Sequence, residues 1–330
     1  VLMRICILQS NYDESDSSQG EYDLPCDPSV YLPEHQCETY FLDKATSVQK
    51  TIELIQKGFD VFINLCDGAA DENRAGIEVV KTLEKFGVPF TGAASNFYEP
   101  TREEMKAACA SKGVKYPAYV MAKTEADLEY ATKTLRFPLI TKHPNSYGSV
   151  DLRKSSRVTN AEDLKVEAKH FIDTYGASLI EEFIEGREFT VLIAENPDDA
   201  DKPVAYRPVE FQFPEGETFK HFDLKWVDYK GMSSKLCDEE ELCEKLKNAG
   251  RKLFVGLDGS SFGRCDIRVD AKGEPYVLEI NPNCGIFYPE AEPGSADYVL
   301  LNDPKGHRGF LELIIGAALK RAKSREKAIR

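Results

Sequence analysis

The chain reads as an α/β protein of several lobes, with a parallel-sheet unit first, a compact α+β unit next and a mixed-sheet unit last. Three observations predict this. At 330 residues the chain is longer than one hydrophobic core serves, so two or three packed lobes with a cleft between them are expected. Up to Gly92, short apolar runs alternate with segments of helical periodicity, the pattern of strands and helices wound into a parallel sheet. From Arg187 onward the strand-like runs lengthen and pair across tight turns, as antiparallel strands do.

Taken in order, Arg4–Leu8 suits a buried strand that feeds a long polar loop, Asn11–Pro33, expected to be a lid or a mobile connection. Ser47–Lys57 reads as a helix with Ser47 as its N-cap, Asp60–Leu65 as the next strand, Asn73–Phe86 as a helix and Val88–Gly92 as a strand and turn. These form a first unit over residues 1–100. A second unit over 101–184 holds helices at Glu103–Gly113, Glu125–Leu135 and Asn160–Tyr175, with strands at Tyr119–Met121, Phe137–Lys142 and Ala177–Ile184. A third, over 185–330, has strands at Phe189–Ala194, Val204–Phe211, Phe262–Val269 and Tyr276–Asn281, and helices at Cys237–Phe254 and His307–Lys323. Asp270-Ala-Lys-Gly273 is a hairpin turn, since glycine accepts the positive φ that a tight loop needs.

Composition narrows the function. A 42% apolar share beside 30% charged residues supports a packed core and argues against disorder. A net charge of -14 is the wrong sign for nucleic-acid backbones, so a bound nucleotide would need local cations and a divalent metal. The nine cysteines show neither zinc-site spacing nor a disulfide framework, which points to reduced thiols in the cytoplasm. No apolar run is long enough to span a bilayer, and Val1–Leu8 is too short for a signal peptide, so neither membrane nor export is expected.

The densest chemistry lies in Arg264-Cys-Asp266 and Glu279-Ile-Asn281. Two antiparallel strands joined by a tight turn set Asp266 beside Glu279, and the period of two puts Glu279 and Asn281 on one face. Adjacent carboxylates repel unless something positive separates them, and hard oxygen donors select Mg²⁺ or Mn²⁺. Arg264 is placed to stabilise charge on a transferring group. Phe137-Pro-Leu-Ile-Thr-Lys142 is an apolar strand ending in lysine before the small-residue stretch Asn145–Ser149; it reads either as a phosphate cradle or as a solvated strand end. Glu181-Glu-Phe183-Ile184, followed by Gly186-Arg-Glu188, offers acceptors and an apolar wall, or is an ordinary strand and turn.

In this order the segments resemble the ATP-grasp fold, most closely its D-alanine–D-alanine ligase branch, over nearly the whole chain. The specific parts are Glu181–Val191, Arg264–Gly285 and, in the first lobe, Asp60–Gly92. The resemblance implies a carboxylate–amine ligase that uses ATP and Mg²⁺ or Mn²⁺ and works through an acyl phosphate. It implies Lys106, Lys142 and Lys225 on the ATP phosphates, Glu181 with Phe183 and Ile184 on adenine, Glu188 on ribose and Asp266, Glu279 and Asn281 on the metal. Arg264 would steady the transferring phosphoryl group, the Ser149 loop would close over the site, and the Gly285 N–H would help form an oxyanion site. Small-molecule acid and amine substrates, an amino acid among them, and a homodimer are implied as well.

The departures from that branch cluster at the amino-acid pockets. After Leu8 no glycine-rich loop with an anchoring glutamate is present, and Glu14 or Glu21 stand in for it only by position. Cys66-Asp67-Gly68 replaces a histidine–glycine pair, Trp226 a tyrosine, and Cys284 a proline. With no histidine nearby in sequence, Cys66 and Cys284 read as packing residues, not nucleophiles. Substrates other than two D-alanines are expected, with attachment of an amino acid to a small natural product, as in mycosporines, as the preferred variant. A nucleotide-binding sensor without ligase activity and a protein-modifying ligase are the alternatives.

Overall fold

The computed structural model describes residues 2–12, 25–70, 72–146, 148–221, 223–224 and 232–329. The first lobe contains β1 (Arg4–Ser10), β2 (Gln36–Leu42), α1 (Ser47–Gln56), β3 (Val61–Asn64), α2 (Ile77–Phe86) and β4 (Phe90–Thr91). Its strands are all parallel, in the order β2-β1-β3-β4. Ile5 to Leu8 and Val61 to Ile63 are fully buried because helices cover both faces of the central strands. The edge strand β2 lies beyond the predicted loop; its polar residues and the exposed Phe41 hid it from a search for apolar runs.

Two local corrections have simple causes. Thr46, not Ser47, precedes α1, and the Ser47 hydroxyl donates to the Lys44 carbonyl instead of capping the helix. Helix α2 starts at Ile77, not Asn73, because Gly68 and Gly76 run against each other; a Cβ on Gly76 would lie 2.1 Å from the Gly68 carbonyl oxygen.

The central sheet follows from α3 (Arg102–Ser111), β5 (Tyr119–Ala122), α4 (Glu125–Thr134), β6 (Leu139–Lys142), β7 (Arg157–Val158), α5 (Ala161–Tyr175) and β8 (Ser178–Glu182). Its antiparallel order is β5-β8-β6-β7. Thr101 with Glu104 and Thr124 with Asp127 form capping boxes that start α3 and α4, and Asn160 caps α5. Leu128, Leu139, Leu164 and Ile180 belong to a small core of this lobe alone.

The third sheet is built from β9 (Arg187–Ala194), β10 (Val204–Ala205), β11 (Val209–Gln212), β12 (Ser233–Leu236), β13 (Phe262–Val269) and β14 (Pro275–Asn281). Between β12 and β13 lies α6 (Glu240–Gly256), and α7 (Ser295–Leu301) and α8 (Gly306–Ile329) follow β14. The order is β12-β11-β9-β13-β14, antiparallel throughout, with β10 on the far end of β9. The single strand expected over Val204–Phe211 is two, interrupted at Pro208, which has no N–H to give a ladder. Two large cores each join first-lobe residues to the third sheet, one toward α6 and the other toward α7 and α8. Helix α3 packs on α6 and β14. The fold is thus mixed α/β, with a parallel sheet and two antiparallel sheets.

Candidate active site

Along β13 the side chains alternate. Cys265, Ile267 and Val269 enter the core, while Arg264, Asp266 and Arg268 line a cavity of about 1220 Å³. The cavity also reaches Lys142, Ser149, Glu181, Phe183, Ile184, Glu188, Glu279, Asn281, Cys284 and Gly285, so most residues singled out in the sequence share one space.

Asp266 lies opposite Glu279, and Arg264 opposite Asn281, in the β13–β14 ladder. Arg264 Nη2 is 3.1 Å from Asp266 Oδ2, and the Thr190 hydroxyl donates to Asp266 Oδ1 at 2.8 Å. Burial opposes ionisation of Asp266, but Arg264 and Lys220 outweigh it and hold the carboxyl at about 2. Glu279 pairs with Arg102 and accepts from Asn281 Nδ2 at 3.2 Å. Two adjacent carboxylates and an amide oxygen are hard donors. Among the described residues no cluster of three or more His, Cys, Asp or Glu forms a metal cage. The donor set of two carboxylates and an amide is of the kind that holds Mg²⁺ together with substrate phosphates.

Glu181, 1% exposed, receives Lys106 on one oxygen and Lys142 on the other, the latter at 2.5 Å. Burial works against its charge, yet the two ammonium groups hold its carboxyl at about 2. With both oxygens engaged, Glu181 aims lysines, and the apolar wall is left to Phe183, which packs with Ile140, Leu152 and Phe219. Burial pushes Lys142 below its ordinary value, against the pull of Glu181. Lys106 is not in the cavity wall. It lies on Glu181 near the Tyr116 and Tyr119 rings, while Arg102, one helical turn earlier on α3, lines the cavity.

Arg268 and Lys220 escaped the sequence reading. Arg268 donates to the Ile184 and Gly186 carbonyls at 2.7 and 2.9 Å and to Glu188 at 2.9 Å, which ties the turn before β9 to Glu188 at the start of that strand. Its signal was the pattern Arg264-x-Asp266-x-Arg268, three charges on one face of a strand. Lys220 Nζ lies 3.5 Å from Glu188 and over the Phe211 ring, and burial lowers its pKa. Nothing in the local sequence separated it from a surface lysine.

Ser149 adopts φ 60° beside Gly148 at 72° and Asp151 at 54°, and its hydroxyl donates to the Lys220 carbonyl at 3.0 Å. The loop is therefore latched to the third lobe across the cavity. Asp151 is held 2.5 Å from His170 Nε2. Cys284 is buried and its thiol is pushed up to about 12 by burial, so it stays protonated; burial also raises the Cys66 thiol. Near Cys66, Arg74 is buried and bonded to Asp67, Glu72 and Tyr12, a charged network that also went unread. Glu14, Lys225 and Trp226 lie outside the described residues.

A family model described as D-ala D-ala ligase C-terminus matches residues 108–289. A D-alanine–D-alanine ligase from Hydrogenovibrio crunogenus is 26% identical over 264 residues, covering 79% of each chain. Among solved structures, the D-alanine–D-alanine ligase of Bacillus anthracis complexed with ATP superposes with a TM-score of 0.68 at 19% identity, over 98% of this chain and 99% of that one. The VanG D-Ala:D-Ser ligase from Enterococcus faecalis gives a TM-score of 0.70 at 16% identity, over 96% and 100%. The chain therefore belongs to the D-alanine–D-alanine ligase family, among the ATP-dependent carbon–nitrogen ligases of the ATP-grasp fold.

Proposed function

We propose that the protein joins a carboxylic acid to the amine of an amino acid through an acyl phosphate, releasing ADP and phosphate, with at least one substrate other than D-alanine. The observation that carries this is the single cavity in which Arg264, Asp266, Glu279 and Asn281 meet Lys142, Arg102 and Lys220. Carboxylate and ammonium do not condense in water without activation. Phosphorylation turns the carboxylate oxygen into a leaving group that the amine displaces.

Arg102, Lys142 and Lys220 would hold the nucleotide phosphates, Phe183 and Ile184 the adenine, and Glu188 the ribose. Arg264 would steady charge on the transferring phosphoryl group and on the tetrahedral adduct, with the Gly285 N–H beside it. Asp266, Glu279 and Asn281 would hold Mg²⁺, which supplies charge neutralisation at the phosphates. The Ser149 loop, latched to Lys220, would keep water from the acyl phosphate.

The choice of substrates is supported by Cys66-Asp67-Gly68 in the first lobe and Cys284 in the last, which stand where the resembled branch has a histidine–glycine pair and a proline, and by the Arg74–Asp67–Glu72 network beside the first of these. Among amino-acid ligases these changes support a specialised-metabolite enzyme, the mycosporine type included. The test is ADP and phosphate release from ATP with pools of amino acids and small carboxylic acids. Stimulated ADP release is expected; tight ATP binding with no stimulation by any pool would favour a nucleotide sensor, and AMP with pyrophosphate would contradict the acyl phosphate.

A further inference from the structure

Asp297 is a buried carboxylate outside the phosphate-binding set. It lies in α7 and is 1% exposed. Its Oδ1 accepts from the Phe287 N–H at 2.7 Å and lies 2.8 Å from His307 Nε2; its Oδ2 accepts from the Gly294 N–H at 3.1 Å and the Tyr288 N–H at 3.3 Å. A carboxylate accepts at both oxygens, so this one side chain ties both ends of the loop 287–294 to the start of α8. His307 in turn stacks on Tyr31, with ring centroids 4.4 Å apart and planes 5° from parallel, and the Asp27 N–H donates to the Phe287 carbonyl at 2.9 Å. Phe287 is held at φ 68°. Such a conformation in a non-glycine residue persists only where its surroundings over-determine it, as the bonds to both its N–H and its carbonyl do here.

This grip presents the ring of Tyr288 to the cavity. Tyr288, Gly285 and Gly294 all line it. A Cβ on Gly285 would lie 2.5 Å from Tyr288 Oη, and one on Gly294 would lie 2.8 Å from Tyr288 Cδ2. The ring thus packs closely between Gly285 and Gly294, where a side chain at either position would displace it, with its hydroxyl beside Gly285, shortly after Asn281.

We propose that Tyr288 limits the size of an amino-acid substrate's side chain, and that Asp297 is the positioning residue that holds the Tyr288 ring in place. The proposal rests on the ligase reading above. A pinned ring excludes by overlap, so glycine- or alanine-sized side chains should be preferred over larger ones.

The test measures ADP release with ATP, Mg²⁺ and glycine, alanine, valine and phenylalanine, both enantiomers where they exist, offered singly and in pairs. Wild type, Tyr288→Ala, Tyr288→Phe and Asp297→Asn are compared. Wild type and Tyr288→Phe should favour the small side chains. Tyr288→Ala should raise the phenylalanine-to-alanine ratio of kcat/KM at least tenfold, with the KM for ATP unchanged within twofold. Asp297→Asn should shift that ratio in the same direction; a merely structural role would depress every substrate and ATP alike. If Asp297→Asn fails to fold, the half-buried, cavity-facing Tyr288 variants decide. A Tyr288→Ala enzyme with the wild-type ratio overturns this proposal alone. Absence of ADP release by wild type with every member of the panel, both without and with the pool of small carboxylic acids added, overturns the ligase reading and this proposal with it.

Discussion

Glu181 and Asp266 are both buried carboxylates kept ionised by cations, and this has a measurable consequence. Their folded-state values, each about 2, lie below the ordinary 4.5 and 3.8. A depressed folded value means that the stabilisation is full above the ordinary value and is lost as pH falls through the folded one. The urea midpoint should therefore fall between about pH 5 and pH 2, and Glu181→Gln should flatten that fall; equal slopes in both proteins would count against the pairing. Glu279→Gln keeps the shape of its site but removes a charge opposite Asp266. It should lower kcat roughly 100-fold with the far-UV spectrum unchanged, and undiminished turnover would remove Glu279 from the reaction centre. At this scale the β13–β14 pairing was legible from strand period and the hairpin turn, but its exact register was not: a shift between Asp266 and Ile267 is what sets Asp266 opposite Glu279 instead of Leu278. Nor was the α3 cation. Arg102 and Lys106 share one helix face, and only the tertiary packing of α3 on α6 and β14 decides which faces the cavity.

The turn between β8 and β9 leads into Glu188 at the start of β9, and its geometry depends on one glycine. Gly186 has φ 138°, and a Cβ there would lie 2.0 Å from the Val269 carbonyl oxygen. Gly186→Ala should cost about 2 kcal/mol or more in stability and weaken ATP binding, because the Gly186 carbonyl is one of the acceptors that orient Arg268. Denaturant titration and nucleotide-binding isotherms check the two parts separately; an alanine variant with wild-type stability would contradict the close approach. Elements with apolar runs or clear caps were readable, as β1, β3, β13 and α3 to α5 show. β2 and β12 were not, since β2 mixes polar and apolar residues without an apolar run, β12 is largely polar, and both form through pairing with β1 and β11. Pro208 did break its strand, as its chemistry requires.

In the whole molecule the cavity draws on the central and third sheets and on first-lobe loop residues such as Asp67 and Arg74, while the central sheet has its own small core and the first lobe and third sheet share theirs. A nucleotide bound in that cavity should stabilise the folded chain by mass action and raise Tm with concentration. The rise should be larger with Mg²⁺ than with a chelator, and the difference should vanish in Glu279→Gln; a shift indifferent to metal would count against the donor set at β13 and β14. The mixed α/β architecture was legible from alternation and hairpin signals. How the lobes frame one cavity was not, because that depends on contacts between residues far apart in the chain, such as the Ser149 latch on Lys220. The chemistry in that cavity is tested most directly by oxygen-18 transfer. With an acid substrate identified from the amino-acid and carboxylate pools and labelled in its carboxylate, the acyl-phosphate route predicts that one labelled oxygen appears in the released phosphate for each amide bond formed. Unlabelled phosphate, or label found in AMP, would contradict it.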